Sequence, residues 1–278
     1  MTKVSFNGFW PEFNPRQHTA FNWIFDLFGV EIVDIDPDII IFGTDGDPHL
    51  TTDNVVKVSF TGERTIPDMQ TFDFAFSFEH MDHPNHFRFP LYLWNHNDYF
   101  SLKKRDVKDW ANEKMKFCNF LYGNNYQSLD GVNARNNFFL MLNKYKKVDS
   151  GGGVLNNLGY RVSDKMQFLK DYKFTISFEN RVSPGYVTEK LIDPFLSGSL
   201  PIYRGSTTVG VDFNRESFIN ALDFNNLESL VEKIIEVDNN KELYNHIMNS
   251  SILPNPLPDW ATKEWYISCW ERIFKYSE

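Results

Sequence analysis

The sequence predicts an α/β protein in which a reduced Rossmann-like half precedes a second α/β half. Short runs of β-branched and aromatic residues recur between turn residues, as in Ile39–Phe42 and Phe174–Phe178, the composition of buried strands. Between some of them lie apolar residues at helical spacing, such as Phe21, Ile24, Phe25 and Phe28, which gives βαβ order. From Phe174 to Lys190 a strand, a tight turn and a helix start follow one another directly. In open α/β sheets ligands collect at such strand ends, because the N–H groups of the helix start face any phosphate placed there.

Lys3–Phe6 reads as the first strand and Arg16–Phe28 as a helix. Val30–Val33 and Ile39–Phe42 are strands parted by Asp36-Pro37-Asp38, and Gly43-Thr44-Asp45-Gly46-Asp47-Pro48 closes the second with a turn. Val55–Phe60 and Phe72–Phe78 complete a five-strand set with shorter helices than a doubly wound half normally carries. The charged stretch Lys103–Asp109 reads as the interdomain link or as a solvated helix face. Phe117–Leu121 opens the second half, ends in Tyr122-Gly123-Asn124-Asn125, and precedes a helical pattern from Ala134 to Tyr145. Arg135 stands at the start of that pattern, where a guanidinium can fork onto a diphosphate, although position alone suits a surface arginine equally. Gly151 and Gly152 let backbone approach a nucleotide, while a flexible linker is the commoner meaning of such a run.

Pro184-Gly185 hands the chain to a helix expected to begin near Tyr186. Tyr186, Glu189, Lys190 and Asp193 then share one face, with Val187, Leu191, Ile192 and Phe195 behind them. At a cleft, Lys190 would offset diphosphate charge, Glu189 would accept from sugar hydroxyls, and Tyr186 would donate to an oxygen or cover a ring. An ordinary solvated helix has the same spacing. Lys263–Tyr276 carries Trp265, Ile267, Trp270, Ile273 and Phe274 after Pro254, Pro256 and Pro258, and reads as a final helix.

Composition narrows the classes. The 278 residues are 42% hydrophobic and 23% charged, ordinary for a globular protein, and the net charge of −9 argues against nucleic acid or anionic lipid as partner. Cys118 and Cys269 are too few for a disulfide framework and lack metal-ligand spacing, so reduced thiols are expected. No signal-peptide core and no 18-residue apolar run occurs, from which a cytoplasmic protein without a transmembrane segment is expected. His80, His83 and His86 near Asp82 are irregularly spaced, and Asp36-x-Asp38 flanks a proline in the wrong half, so no metal site is expected.

The string FEN (Phe178–Asn180), a variable turn, then GYVTEKLIDPFLSGSLPIYRGS (Gly185–Ser206) resembles the signature of the α1,3/4-fucosyltransferases, glycosyltransferase family 10. VDSGGGVLNNLGY (Val148–Tyr160) and DFNRESFINALDF (Asp212–Phe224) agree in order, and the N-terminal half matches more weakly through FTGE (Phe60–Glu63) and RFPLY (Arg88–Tyr92). The resemblance is strongest from about Asn119 to Phe224 and fades beyond Leu227. It implies a GT-B fold, two Rossmann-like domains facing a central cleft, and inverting transfer of L-fucose from GDP-fucose to an oligosaccharide such as N-acetyllactosamine, forming an α1,3 or α1,4 linkage of the Lewis x kind. The implied layout is an acceptor domain over 1–108, a GDP-fucose domain over 109–255, and a helical segment over 256–278 that crosses back to the first domain. The chain resembles the bacterial type, though without the heptad repeats and basic tail common there, which leaves peripheral membrane contact open.

Inverting transfer needs a carboxylate base on the acceptor side, and Glu12, Glu63, Glu79 and Asp82 are the candidates. Strand-end position leaves Glu63 and Glu79 nearly even; the match of FTGE to the family's base segment puts Glu63 ahead. Resemblance likewise moves Arg135 to the donor site, beside Asn180, Tyr186, Glu189, Lys190, Gly151 and Gly152, with no metal required. Phe9, Trp10 and Glu79 are the acceptor-side candidates. The rival readings are a transferase of the same architecture using another nucleotide sugar, and a non-catalytic carbohydrate-binding relative.

Overall fold

The computed structural model describes residues 1–50, 54–63, 65–102, 107–125 and 130–277, the side chains of residues 50 and 96 excepted. The chain divides into two compact units, Met1–Asn97 with Leu257–Glu278, and Asp98–Pro256. Of the expected link, residues 103–106 lie outside the described residues.

In chain order the elements are β1 (Lys3–Asn7), α1 (Asn22–Phe28), β2 (Glu31–Ile32), β3 (Ile39–Phe42), β4 (Val56–Phe60), β5 (Phe74–Ser77), β6 (His86–Arg88) and α2 (His96–Ser101). There follow β7 (Lys116–Phe120), α3 (Asp130–Tyr145), β8 (Val148–Ser150), α4 (Lys165–Lys170), β9 (Tyr172–Phe178), α5 (Glu189–Ser197), β10 (Leu200–Arg204), β11 (Ile219–Asn220), α6 (Leu227–Asn239), α7 (Lys241–Asn249) and α8 (Lys263–Ser277). The first sheet runs β2-β1-β3-β4-β5-β6 and the second β11-β10-β9-β7-β8, with every pair parallel. In each, the strands that follow the opening strand lie on its two sides, so the winding reverses between β1 and β3 and between β7 and β9. Crevices beyond strand carboxyl ends form at that reversal.

The first sheet thus has six strands rather than five. The sixth, His86-Phe87-Arg88, is fully buried, but its short run ends in ionisable residues and gave no strand pattern. The first helix is also shorter than expected: His18 closes a turn onto Phe21 and Asn22, and the regular helix starts only at Asn22. It stops at Gly29, whose φ of 63° is the left-handed conformation that ends helices at low cost for glycine. On the same unit α8 buries Trp270 completely, with its ring centroid 5.2 Å from Phe76 and 5.5 Å from Phe25.

In the second unit, β9 alternates. Phe174, Ile176 and Phe178 enter a core with Phe138 and Leu142 of α3 and Leu230 and Ile234 of α6. Thr175 instead bonds Asn119 at 2.8 Å and meets Ser199 at 2.8 Å. Among the described residues no helix is long and apolar enough to cross a membrane. Both cysteines are buried and unbridged.

Candidate active site

In the second unit, β7 and β9 end beside a cavity of about 220 Å³ lined by Tyr122, Asn124, Arg135, Asn180, Glu189 and Lys190 among others. The helix above it begins at Glu189, not near Tyr186, because Thr188 is its cap: the Thr188 side chain accepts the Lys190 N–H. Tyr186 therefore lies in the preceding loop, 4% exposed, where its carbonyl accepts from the Tyr203 hydroxyl at 3.1 Å. It does not share a helix face with Glu189, Lys190 and Asp193. Both flanking features persist, since Gly185 takes φ +74° and Leu191, Ile192 and Phe195 are buried.

The Lys190 ammonium lies 3.3 Å from Glu179 Oε2 and 3.2 Å from Glu189 Oε1. Burial opposes its charge, but Glu179 and then Glu189 outweigh that and hold the ammonium well above its ordinary range. Burial pushes Glu179 up, against the pull of Lys190. Glu189 feels burial too, yet Lys190 and Lys165 bring it below the usual carboxylate range. The group is cationic at its centre and cannot readily lose that charge.

Arg135 does not open its helix. It sits in the second turn of α3, 1% exposed, with its guanidinium 4.0 Å over the Tyr122 ring. It donates to Asn180 Oδ1 at 3.0 Å and to the Asn124 carbonyl at 2.5 Å, while its Nε has no partner among the described residues. Tyr122 is itself pinned: its hydroxyl donates to the Ile176 and Phe178 carbonyls, at 3.0 and 3.1 Å, and accepts the Phe178 N–H at 2.7 Å. Burial lowers Arg135, but a guanidinium stays charged. Arg135, Asn180, Glu189 and Lys190 are thus brought to one cavity.

Gly151 and Gly152 are not among the lining residues. A Cβ on Gly152 would stand 2.2 Å from the Tyr122 carbonyl, and one on Gly151 2.4 Å from Val162 Cγ2. Gly153 and Val154 donate to the same Tyr122 carbonyl. The run thus lets the segment after β8 close on the tyrosine that carries Arg135.

In the first unit, β1, β3 and β4 end at a cavity of about 360 Å³ lined by Phe9, Trp10, Thr44, Thr61, Glu63 and Trp94 among others. Glu63 is exposed at its edge, and its backbone N–H donates to Thr61 Oγ1 at 3.1 Å. Thr61 Oγ1 lies 3.2 Å from Thr44 Oγ1, tying the ends of β3 and β4 together. Phe9 stacks on Phe13 at 4.1 Å, and Trp10, 46% exposed, stands edge-on to Phe13. Glu79 is outside this lining; its backbone N–H donates to Ser77 Oγ beyond β5. Glu12 and Asp82 are exposed.

Of the histidines near Asp82, His86 serves the fold. His86 is buried with Nε2 2.8 Å from Ser77 Oγ, and burial, helped by Arg88, His83 and His80, pushes its pKa down to about 4. No group of three or more His, Cys, Asp or Glu able to hold a metal ion occurs among the described residues. Sequence reasoning overlooked Glu179, Tyr122 and Trp94 as parts of these sites. The only signal for Glu179 was its place at a strand end, next to Asn180 in the matched string.

Residues 111–249 match the family described as glycosyltransferase family 10 (fucosyltransferase), C-terminal part, and residues 4–95 match the alpha-(1,3)-fucosyltransferase FucT N-terminal domain. The chain is 33% identical to the alpha-(1,3)-fucosyltransferase FucT of Helicobacter pylori over 70% of its own length and 47% of that protein's. It is 34% identical to 4-galactosyl-N-acetylglucosaminide 3-alpha-L-fucosyltransferase 9 of Mus musculus over 40% of its length and 31% of that protein's. It thus spans half or less of these relatives. A crystal structure of an alpha1,3-fucosyltransferase with GDP-fucose superposes with a TM-score of 0.83 at 24% identity, over 99% of this chain and 90% of that one, which supports an α/β GT-B fold. The chain belongs to glycosyltransferase family 10, the fucosyltransferase family.

Proposed function

We propose that the protein moves L-fucose from GDP-β-L-fucose to a GlcNAc or Glc hydroxyl of a β-galactoside-containing oligosaccharide, with inversion and an α1,3 linkage. The observation that carries this is the cavity at the β7/β9 reversal, where the buried Arg135 and the half-buried Lys190 supply two cations beside Asn180 and Glu189. Such an arrangement suits a diphosphate flanked by hydroxyl-bearing sugars. A crystal structure that shares this fold is one with GDP-fucose, and the mouse relative is by its name a 3-fucosyltransferase of galactosyl-N-acetylglucosaminides.

In this reading Glu63 takes the proton from the acceptor hydroxyl as it attacks the anomeric carbon opposite the phosphate. Arg135 and Lys190 stabilise the departing GDP, the N–H groups at the start of α5 add to that field, and Glu189 and Asn180 hold ribose or fucose hydroxyls. Tyr186 is assigned to a phosphate oxygen or to the sugar on the motif alone. Trp10 and Phe9 offer faces to the acceptor, with Glu79 a more distant candidate. The protein cations carry the leaving-group charge, so divalent metal is not essential.

Incubation with GDP-fucose and N-acetyllactosamine, followed by linkage analysis, tests this. An α1,3-fucosylated product is expected, with GDP-mannose and UDP-galactose giving none. Turnover with either of those donors but not GDP-fucose would overturn it.

A further inference from the structure

Glu179 is fully buried and is not among the residues that line the donor cavity, yet it is an ionisable group at the very end of β9. Both of its oxygens are used. Oε1 accepts the Thr188 N–H at 2.9 Å, the Thr188 hydroxyl lies 2.9 Å from each oxygen, and Lys190 Nζ lies 3.3 Å from Oε2. The backbone around it is clamped as well. Its N–H donates to the Arg204 carbonyl at 2.7 Å, a Cβ on Gly205 would stand 2.5 Å from its Cγ, and one on Gly131 2.2 Å from its carbonyl oxygen.

A buried carboxylate is costly, and well-packed apolar side chains often replace a buried ion pair at no loss of stability. Stability alone is therefore a weak reason for this one. Its contacts instead converge on two neighbours: Thr188, the cap of α5, and Lys190, which does line the cavity. One carboxylate thus fixes both the start of the helix and the position of the ammonium. A charge held in place beforehand stabilises a developing anion better than one that must be ordered during reaction.

We propose that Glu179 is a positioning residue for the transfer, acting through Lys190 and Thr188 to hold the ammonium where the leaving diphosphate needs it. This rests on the reading that Lys190 meets the diphosphate. The test is a double-mutant cycle of Glu179→Gln and Lys190→Ala, reading kcat/KM with GDP-fucose and N-acetyllactosamine, GDP affinity by calorimetry, and Tm. Glu179→Gln keeps an acceptor for the Thr188 N–H and should still lower kcat/KM on the order of tenfold. In the Lys190→Ala background the same change should cost less than about twofold, because coupled residues are not additive. A merely structural Glu179 predicts an equal loss in both backgrounds, which would overturn the proposal, as would wild-type turnover in Glu179→Gln. Lys190→Ala with wild-type GDP affinity and turnover is a separate failure: it removes Lys190 from the diphosphate reading, and the proposal with it. Should Glu179→Gln not fold, Thr188→Val loosens the same cage without changing the buried charge, and its loss of turnover should likewise vanish when Lys190 is absent.

Discussion

The two cavities occupy equivalent places, each at the winding reversal of a parallel sheet, yet they carry charge in opposite ways. In the second unit a buried Arg135 and a half-buried Lys190 are assembled before any ligand arrives: one stacked on Tyr122, the other held between two carboxylates. In the first unit Glu63 is exposed among aromatic rings, its backbone held by Thr61. The contrast matches two tasks. A diphosphate is charged in the ground state and rewards fixed cations, whereas a base is used only once an acceptor hydroxyl is present.

The largest expected effect sharpens that division. Glu63→Gln keeps shape and loses basicity, so transfer should fall by about 10²–10⁴-fold, the range of general-base contributions, in an initial-rate assay. Substantial residual activity would move the base elsewhere. Next in size is Trp270→Ala, which empties the centre of the first unit's core. A loss of about 3–5 kcal/mol is expected in denaturant unfolding, and an unchanged midpoint would mean that α8 does not hold this unit.

A smaller effect concerns pH and again separates the units. His86, pushed down from 6.5 to about 4, is neutral in the folded state but protonates readily when unfolded. Its contribution to stability is therefore complete above pH 6.5 and is lost as pH falls towards 4, amounting to about 3 kcal/mol at the acid end. His86→Gln should flatten that part of the stability curve, and parallel curves for the two proteins would contradict the assignment. Smallest is Glu79→Ala, expected to retain activity within a few-fold because Glu79 stands outside the cavity that Glu63 edges. A dead Glu79→Ala beside a working Glu63→Gln would reverse the two carboxylates.

What could be read from the sequence follows the range of the interactions. Ile39–Phe42 is a strand with the expected bounds and β9 one only two residues longer, because a continuous apolar run declares a buried strand locally. Lys190 was also legible, in the matched string just after a strand, while Arg135 was reached only through the family resemblance. The start of α5 was not: Pro184-Gly185 marks the turn, but Thr188, the residue able to cap, sets the first helical residue and leaves Tyr186 in the loop. Likewise Arg135 is aimed by Tyr122, thirteen residues earlier, through a stack that spacing cannot reveal. The packing of Gly151 and Gly152 was illegible for the same reason, since their neighbours Val162 and Tyr122 come close only in the fold. Strand β6 was hidden because His86 and Arg88, polar in sequence, are buried in three dimensions.

The division of labour between the units is tested most directly by measuring GDP affinity calorimetrically for Arg135→Ala, Lys190→Ala and Glu63→Gln alongside the wild type. The account predicts that the first two bind GDP at least about tenfold more weakly, since each removes a charged contact worth roughly 1.5–3 kcal/mol, and that Glu63→Gln binds it as the wild type does. Wild-type affinity in both cation variants, or weakened GDP binding in Glu63→Gln, would contradict it.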